Sequence, residues 1–477
     1  MTKDNKDAPM LIAGTWRSSA TMVPVSDPYR NETVGAYARA TMADLEDAVA
    51  AARKGSDAMA AMPGHERQKR LQQVSGRLLA EKAEIARLLS RESGKAVRDS
   101  EGEIDRAIDT FSLSAGEAIR IEGRHVPLDG SAMGAGRYAF LLRFPVGVVA
   151  AITPFNAPVN LTAHKIAPAL AAGNALVLKP PPQTPLAIGR MVEIVQEAGF
   201  PEGALNVVHG EAEIGKALVT HPGVDFITFT GSTRAGAAIK ADSGLKRAAL
   251  ELGGNGVTIV HGDTPDIMAA ATACARNSMR LAGQSCISVQ TALVERSRYD
   301  EFVPLLLDKV KELKLGDPLD RATDVGTLID EAAAKRVDSW VGDACKDGAK
   351  ALTGGGRHGA AYEPTVLVDV KPQMEVVCNE VFGPVVSILP YDDLSEAVDF
   401  TNRSRFGLQC GIFTASNQTT FDLVRRLKTG GVIVNGTSTW RTDQLAYGGV
   451  RDSGMGREGP RYAIEDMTDQ RLVVFNL

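Results

Sequence analysis

Three side chains in the 477-residue sequence have the chemistry of a covalent catalytic site. Cys286 follows a glycine-containing turn after a predicted helix, where a thiol can face a cleft and act as a nucleophile. Glu251 lies in an apolar predicted strand, residues 248–252, before two glycines. Partial burial there would raise its pKa and suit a general base. Asn156 follows another predicted strand, where its amide can donate a hydrogen bond to a developing oxyanion.

Each of these residues also has an ordinary structural interpretation. A lone cysteine such as Cys286 is most often a small buried hydrophobe. Glu251 fits a surface carboxylate before a turn, and Asn156 fits a turn former. The residue types taken singly therefore leave catalysis and structure both open.

The elements that would position these side chains alternate between strand and helix. Strands are predicted at residues 148–152, 175–178, 206–208 and 226–229, and the helices between them begin near Asn160, Thr184 and Glu213. Repeated strand–helix–strand units predict a parallel sheet with helices on its faces, and such sheets bind nucleotides beyond the carboxyl ends of their strands. A second α/β domain is predicted from residue 257 to about 433, with helices at residues 267–279, 299–313, 331–345 and 416–427.

Further helices and strands flank these two units. Three helices are predicted before the first sheet, at residues 45–62, 67–91 and 103–119. Residues 138–152 suggest two strands separated by a bend, and residues 471–477 suggest a short C-terminal strand. The predicted fold class is α/β with two parallel-sheet domains, the first resembling a Rossmann-like nucleotide-binding unit.

Composition and charge exclude several classes of protein. The formal net charge of −5 disfavours a nucleic-acid or anionic-membrane partner, because both need a basic surface. Prolines and polar residues interrupt the most apolar stretch, residues 146–178, so no membrane span is predicted. The five cysteines are odd in number and form no C-x-x-C pair, which disfavours a disulfide framework and a zinc cluster. We therefore predict no metal site and a cytoplasmic protein.

Two segments match nucleotide-binding patterns without fitting them. Residues 210–217 differ from a P-loop only at Ala217, which cannot offer magnesium a hydroxyl, and Glu211 and Glu213 would repel phosphates. Residues 454–459 spell a dinucleotide fingerprint, but they lie too near the C-terminus to open a strand–helix–strand unit. We interpret the second segment as a turn-rich loop.

Taken together, the motifs of this sequence resemble the aldehyde dehydrogenase superfamily over nearly the whole chain. They occur in the order of that family and are Thr153-Pro-Phe-Asn156, Leu178-Lys-Pro180, Phe229-Thr-Gly-Ser232, Glu251-Leu-Gly-Gly254, Gly283-Gln-Ser-Cys286, Glu380-Val-Phe-Gly-Pro384 and Tyr447-Gly-Gly449. The resemblance implies that the Cys286 thiolate adds to an aldehyde carbon and that Asn156 and the Cys286 N–H hold the oxyanion. A nicotinamide then takes the hydride, and Glu251 activates water to release the acid from a thioester. Members that transfer the acyl group to coenzyme A generally lack this glutamate, so hydrolysis is expected.

The resemblance also implies a cofactor site. Lys179 matches the residue that binds the adenosine ribose, Glu380 the residue that holds the nicotinamide ribose, and Ser232 a contact to the pyrophosphate at a helix N-terminus. The full predicted set is Ile152, Thr153, Pro154, Phe155, Lys179, Pro182, Gly215, Phe229, Thr230, Gly231, Ser232, Leu252, Glu380 and Phe382. Pro182 stands where many NAD-preferring members carry a glutamate, so NAD or NADP is expected, with NAD slightly favoured.

The substrate is less constrained than the chemistry. The run after Gly283 and the segment Trp440-Arg-Thr-Asp443 resemble the branch that acts on lactaldehyde and on phosphorylated or phosphonate aldehydes. The predicted substrate-binding residues are Arg106, Arg280, Ser285 and Arg441, since guanidinium groups suit an anion. Ordinary salt bridges explain the arginines equally well. We therefore expect a small anionic or hydroxylated aldehyde as the substrate. The alternatives are aromatic or simple aliphatic aldehydes, and a non-catalytic structural or binding homologue.

The family fold implies three units. We expect a cofactor-binding domain at residues 1–120 and 143–252, and a catalytic domain at residues 253–447. A small β oligomerisation element is expected at residues 121–142 and 464–477. It would pair with a partner subunit and produce a homodimer or homotetramer.

Overall fold

Helices and strands alternate along most of the computed structural model, which describes residues 7–477. The helices are α1 (Met42–Ala61), α2 (Gly64–Ser93), α3 (Val97–Glu117), α4 (Pro158–Ala172), α5 (Leu186–Glu197), α6 (Ala212–Thr220), α7 (Thr233–Asp242), α8 (Ile267–Met279), α9 (Arg296–Lys311), α10 (Glu331–Lys346), α11 (Glu375–Cys378), α12 (Leu394–Arg403), α13 (Asn417–Arg426) and α14 (Pro460–Asp466). Short 3-10 turns lie at Ala132–Gly134, Arg280–Gly283 and Arg451–Ser453.

The strands before residue 252 are β1 (Met10–Ile12), β2 (Thr15–Arg17), β3 (Met22–Asp27), β4 (Glu32–Ala38), β5 (Arg124–Val126), β6 (Arg137–Pro145), β7 (Val148–Ile152), β8 (Ala175–Lys179), β9 (Leu205–Val207), β10 (Phe226–Thr230) and β11 (Arg247–Glu251). Those that follow are β12 (Gly256–Val260), β13 (Val289–Glu295), β14 (Lys350–Thr353), β15 (Arg357–His358), β16 (Ala361–Tyr362), β17 (Thr365–Val368), β18 (Val385–Tyr391), β19 (Gln409–Phe413), β20 (Gly431–Val434), β21 (Gly454–Met455) and β22 (Thr468–Asn476).

The first large sheet has eight strands in the order β2-β1-β9-β8-β7-β10-β11-β21. Its five central strands, from β9 to β11, are parallel, and antiparallel β1 and β21 extend the two sides. Every residue of β7, β8 and β10 is buried, because helices cover both faces of the sheet. The carboxyl ends of β7, β8, β10 and β11 therefore form one edge at which side chains can meet a ligand.

The second large sheet has seven strands in the order β14-β17-β18-β13-β12-β19-β20. The six strands from β17 to β20 are parallel, and β14 is an antiparallel edge strand. A separate buried cluster packs α8, α9 and α10 against it. Two parallel sheets, each with helices packed against it, confirm the predicted α/β fold class.

A three-stranded antiparallel sheet, β22-β6-β5, stands apart from both large sheets. β6 and β22 pair over nine residues, from Thr468 opposite Pro145 to Asn476 opposite Arg137. This sheet exposes large apolar side chains, including Tyr138, Leu472, Val474 and Phe475.

Most predicted elements lie within a few residues of the observed ones, and the differences have local causes. The helix predicted to begin at residue 103 is α3, which begins at Val97, because Val97 and Ser100 in its first turn are buried. The segment 454–459, interpreted as a loop, contains β21, whose Gly454 pairs with Glu251. Four N-terminal strands, β1–β4, were not predicted. Among residues 7–477, none of the helices combines the length and apolar composition needed to cross a bilayer.

Candidate active site

Glu251 is the last residue of β11 and is buried. Its Oε2 atom has no hydrogen-bond partner among residues 7–477. Burial raises the pKa of this carboxyl well above its ordinary value of 4.5, and the nearby charge of Glu458 raises it further. The positive charges of Lys165, Arg441 and Arg457 act in the opposite direction. A buried carboxyl with a raised pKa and a free oxygen suits a base that activates water.

Cys286 follows a tight turn built from left-handed backbone. Leu281, Ala282 and Gly283 have φ values of 57°, 51° and 71°. Such values cost an ordinary residue about 1–2 kcal/mol, so two successive non-glycine residues here indicate stored strain, which clusters at functional sites. Gly283 cannot be replaced, because a Cβ there would lie 1.9 Å from the carbonyl oxygen of Gly383.

The three predicted catalytic residues lie around this turn. The Asn156 Nδ2 atom donates a hydrogen bond of 3.0 Å to the carbonyl of Gln284, two residues before Cys286. The Tyr447 hydroxyl lies 3.1 Å from the Cys286 sulfur, and the next residue, Gly448, approaches Glu251 so closely that a Cβ there would lie 2.9 Å from Oε1. The structure thus brings together three predicted residues that are 35 to 130 positions apart in the sequence, and Tyr447, which is 161 positions from Cys286.

The Cys286 thiol is partly buried, and burial raises its pKa to about 12. The hydrogen bond from Tyr447 lowers this pKa, the charge of Glu380 raises it, and that of Arg441 lowers it. The sulfur is therefore a protonated thiol at neutral pH in the resting protein. It needs a proton acceptor when it attacks.

The predicted cofactor residues meet at the carboxyl edge of the first sheet. Ile152 pairs in register with both Phe229 and Lys179, so β7 and β8 end level with each other and β10 extends one residue farther, to Thr230. Thr153 continues this edge, since its N–H donates to the Lys179 carbonyl at 3.3 Å. Farther along the chain, the rings of Phe155 and Phe382 meet edge to face with centroids 5.9 Å apart.

The N-terminus of α7 closes one side of this edge. Ser232 caps the helix by accepting from the Ala235 N–H. The Thr230 Oγ1 atom is buried without a partner among residues 7–477. Gly231 packs on the Phe229 ring, where a Cβ would lie 2.5 Å from the ring, and Leu252 lies against the helix. An unpartnered hydroxyl beside a helix N-terminus of small residues fits a pyrophosphate group.

Lys179 lies at the adenosine end of the predicted site. Its Nζ donates to the carbonyls of Pro180 and Gly210, each at 3.0 Å. Burial lowers the pKa of this ammonium to about 8, and the charge of Glu211 opposes that effect. Gly215 lies beside the lysine stem, and Pro182 lies three residues after Lys179 in a turn.

Glu380 lies at the opposite end of the predicted cofactor site. It accepts a 3.0 Å hydrogen bond from the Gly254 N–H, and its other oxygen packs against Gly253, where a Cβ would lie 2.5 Å away. Burial raises the pKa of Glu380 to about 7. Because Gly254 also touches the Cys286 carbonyl, Glu380 is tied to the segment that carries the thiol. The residues present therefore fit a nicotinamide dinucleotide extended from Lys179 to the sulfur.

All four predicted substrate-binding residues line one cavity of about 120 Å³. Its walls include Arg106, Arg280, Ser285, Arg441 and Ile287. Because Ser285 and Ile287 are the residues immediately before and after Cys286, the cavity lies beside the segment that carries the thiol. Two carboxylates, Asp99 and Glu103, line it as well. The lining residues therefore carry three positive and two negative formal charges, and Glu103 is also paired with Lys95.

Each of the three arginines also has a partner within the protein. Arg106 holds Asp443 with two bonds of 2.7 and 3.2 Å, and Arg280 pairs with Asp99 at 2.8 Å. Arg441 is buried and bonded to Glu458, and its Nε has no partner among residues 7–477. The salt bridges considered from the sequence are present, and they coexist with a shared cavity.

Sequence reasoning missed a buried charge network behind the site. Asp443 accepts from His164 at 2.8 Å and Asn160 at 3.3 Å, and Glu458 accepts from Lys165 at 3.1 Å. The partners are about 280 to 290 residues apart, so no local pattern in the sequence could reveal them. Tyr447 was visible as a motif residue, but nothing in its neighbourhood indicated contact with the sulfur.

A thiol, a buried carboxyl and an amide donor beside a dinucleotide edge define an NAD(P)-dependent aldehyde dehydrogenase. The sequence model of the Aldehyde dehydrogenase family matches residues 16–473, and the chain belongs to this family. This confirms the family resemblance, the enzyme class and the use of NAD or NADP.

Similar proteins cover nearly the whole chain. A 3-sulfolactaldehyde dehydrogenase of Priestia megaterium is 43% identical over 470 residues, with 98% of each chain covered. The crystal structure of aldehyde dehydrogenase 21 from Physcomitrella patens, in complex with the reaction product succinate, has a TM-score of 0.97 and 38% identity, with 99% of each chain covered. The NADP-dependent glyceraldehyde-3-phosphate dehydrogenase of Bacillus halodurans, complexed with NADP, has a TM-score of 0.96 and 35% identity, again with 99% of each chain covered.

Proposed function

We propose that this enzyme oxidises a small aldehyde bearing one anionic group to the carboxylic acid, with water as the acyl acceptor. The observation that carries this proposal is a cavity lined by three arginines and by Ser285 and Ile287, the residues immediately before and after Cys286. A guanidinium cluster of this kind suits a carboxylate, sulfonate or phosphate. The names of the three similar proteins described above concern sulfolactaldehyde, succinate and glyceraldehyde 3-phosphate, each of which carries an anionic group. A lactaldehyde dehydrogenase, named for a hydroxylated aldehyde, is also similar to this chain.

The proposed reaction begins at Cys286. The thiol loses its proton to solvent, and the sulfur adds to the aldehyde carbon to give a thiohemiacetal. One Asn156 N–H already serves the Gln284 carbonyl, so the second N–H of that amide and the Cys286 N–H receive the oxyanion. Bound nicotinamide supplies the hydride acceptor. Glu251 then takes a proton from water, which attacks the thioester and releases the acid.

The proposed units of the chain follow its three sheets. The eight-stranded sheet carries the cofactor site, and the seven-stranded sheet carries the cysteine segment. The three-stranded sheet is the oligomerisation element, because its exposed apolar side chains are the kind that a partner subunit covers. We propose a homodimer or homotetramer. The five free cysteines support a reducing compartment such as the cytoplasm.

A substrate screen tests this function. Purified enzyme would be given short aldehydes of equal chain length that carry a sulfonate, carboxylate, phosphate, hydroxyl or methyl group, together with an aromatic aldehyde. Reduced cofactor would be followed by its absorbance. The proposal expects kcat/KM to be at least tenfold higher for an anionic aldehyde than for its neutral counterpart. Equal or better use of neutral aliphatic or aromatic aldehydes would overturn the anionic assignment and leave the dehydrogenase chemistry intact.

A further inference from the structure

The hydroxyl of Tyr447 is the polar group that lies within hydrogen-bonding distance of the Cys286 sulfur. The two atoms are 3.1 Å apart, which is within bonding distance for a sulfur. Ile287, Leu408 and Tyr447 form a small apolar cluster against Cys286. Because apolar side chains surround this pair, few other groups can solvate a charge on the sulfur.

Several contacts fix the tyrosine in this position. Its backbone N–H donates to the Glu458 carbonyl at 3.0 Å, and its carbonyl accepts from the Glu458 N–H. The guanidinium carbon of Arg441 lies 3.8 Å from the centre of the tyrosine ring. Arg441 is itself held by Glu458. These contacts hold the hydroxyl beside the sulfur within the protein itself, so its position does not depend on bound substrate.

The hydroxyl is a donor throughout the working pH range. Burial raises the pKa of the Tyr447 phenol well above its ordinary value of 10, so it remains protonated. The charged or titratable groups that face the sulfur are Glu380 and Glu251, which disfavour a thiolate, and Arg441, which favours it. Because Arg441 already pairs with Glu458, a direct hydrogen bond is the main interaction that can stabilise a negative charge on the sulfur.

We propose that the Tyr447 hydroxyl donates a hydrogen bond to the Cys286 sulfur and stabilises the thiolate that attacks the aldehyde. The proton leaves the sulfur for solvent, while the tyrosine keeps its own proton and shares it with the charged sulfur. When the carbon–sulfur bond forms, the negative charge moves to the former carbonyl oxygen, where Asn156 receives it. This role makes Tyr447 a catalytic residue, and it rests on the proposed role of Cys286 as the nucleophile.

The test measures the reactivity of the thiol without cofactor or substrate. Wild-type and Tyr447→Phe enzymes would be treated with iodoacetamide across a pH series, and alkylation of the Cys286 peptide would be followed by mass spectrometry. Loss of one hydrogen bond to a charged group should raise the pKa of the thiol by about one unit, and so slow alkylation about tenfold at every pH below that pKa. The acidic limb of the kcat/KM profile should move by the same amount.

A matched control is available elsewhere in the chain. Tyr362 is also buried, but its hydroxyl has no partner among residues 7–477, so Tyr362→Phe should leave the alkylation midpoint unchanged. If Tyr447→Phe does not fold, 3-fluorotyrosine placed at position 447 keeps the ring and provides a more acidic donor. It should lower the midpoint.

The outcomes separate this inference from the proposed function. A midpoint that stays unchanged in Tyr447→Phe, or in the fluorotyrosine enzyme, would overturn the hydrogen bond as a catalytic contact. Full turnover by Cys286→Ala would instead overturn the proposed function itself. If Cys286→Ala has no turnover and the alkylation midpoint of Tyr447→Phe equals that of the wild type, only the inference about the tyrosine is refuted.

Discussion

The pairing of Arg106 shows how a single side chain can be both structural and available to substrate. Two of its nitrogens hold Asp443, yet the side chain remains about one-third exposed and lines the cavity beside Cys286. The Asp443 bond fixes the direction of the guanidinium. A nitrogen that does not contact Asp443 is left to meet a substrate anion.

Replacement of Arg106 by glutamine should therefore weaken binding of anionic aldehydes. We expect KM for the best anionic substrate to rise at least tenfold, which corresponds to the loss of one charge-assisted hydrogen bond. KM for a neutral aldehyde of equal length should change less than twofold. Steady-state kinetics with both substrates measure this difference.

Arg321→Gln provides the control for that experiment. Arg321 is an exposed arginine paired with Glu101 and does not line the cavity. Equal effects of Arg106→Gln on anionic and neutral aldehydes would show that the residue is structural and does not recognise the anion.

The adenosine end of the site makes a second prediction at this scale. Glu211 places a negative charge near Lys179, and no glutamate follows that lysine at position 182. A 2′-phosphate would meet this charge, so Glu211→Gln should raise kcat/KM for NADP relative to NAD by about threefold to tenfold. An unchanged ratio in parallel assays with the two cofactors would show that Glu211 does not influence the choice between NAD and NADP.

The sequence was sufficient to propose residues for the site, but it did not indicate the residues that they contact. The types and motifs of Cys286, Glu251 and Asn156 were sufficient to propose their chemistry, and the structure brings them together. Their neighbours Tyr447 and Glu458 come from a distant segment. Contacts of this kind depend on how complete elements pack, and no short-range pattern records them.

At the scale of elements, parallel strands were easier to predict than short antiparallel ones. The strand Val148–Ile152 and the helix Ile267–Met279 agree with the predicted bounds, since both are long apolar or strongly periodic segments. The strands β1 and β2 have only three residues each, which is too short for an alternating pattern to emerge. They become strands because β1 pairs with β9 at the side of the sheet.

His209 helps to attach that N-terminal segment to the first sheet. Its Nε2 lies 3.2 Å from the carbonyl of Pro9, its ring packs on Tyr37, and its own carbonyl accepts from Ala40. Burial lowers the pKa of His209 to about 4. The imidazole is therefore neutral in the folded protein and donates its N–H to Pro9.

Acid should weaken the fold through this histidine. An unfolded histidine titrates near pH 6.5, so between pH 6.5 and 4 the unfolded chain binds a proton that the folded chain does not. Neutral His209 makes its full contribution to the free energy of unfolding above pH 6.5. Up to about 3 kcal/mol of that contribution is lost as the pH falls toward 4. His209→Gln should remove this part of the pH dependence of the urea midpoint.

The control for this effect is His358→Gln, since His358 is exposed. It should follow the wild-type pH dependence. If His209→Gln loses stability between pH 7 and 5 as steeply as the wild type, protonation of His209 does not contribute to acid unfolding.

At the scale of the whole molecule, the three-stranded sheet exposes the apolar side chains that we propose a partner subunit covers. Leu472 and Val474 are two residues apart on β22, so their side chains share one face of the sheet, and both are exposed. Two lysines at positions 472 and 474 would put charges on this face. We expect Leu472→Lys with Val474→Lys to lower the oligomeric state measured by light scattering, because a subunit interface does not tolerate unpaired charges.

Added charge alone should not change the assembly. Gln72→Lys with Gln73→Lys adds the same charge at exposed positions of α2 and serves as the control. Wild-type protein that is monomeric by light scattering, or a β22 variant that keeps the wild-type mass, would refute the proposed oligomerisation element.

The most direct test of the account is a rapid-mixing measurement of reduced cofactor in Glu251→Gln. If Cys286 carries the hydride-transfer step and Glu251 the hydrolysis step, this variant should release about one equivalent of reduced cofactor per active site in a burst, followed by a much slower steady state. Cys286→Ala should show neither phase. Continued turnover by Cys286→Ala, or an undiminished steady state in Glu251→Gln, would contradict the account.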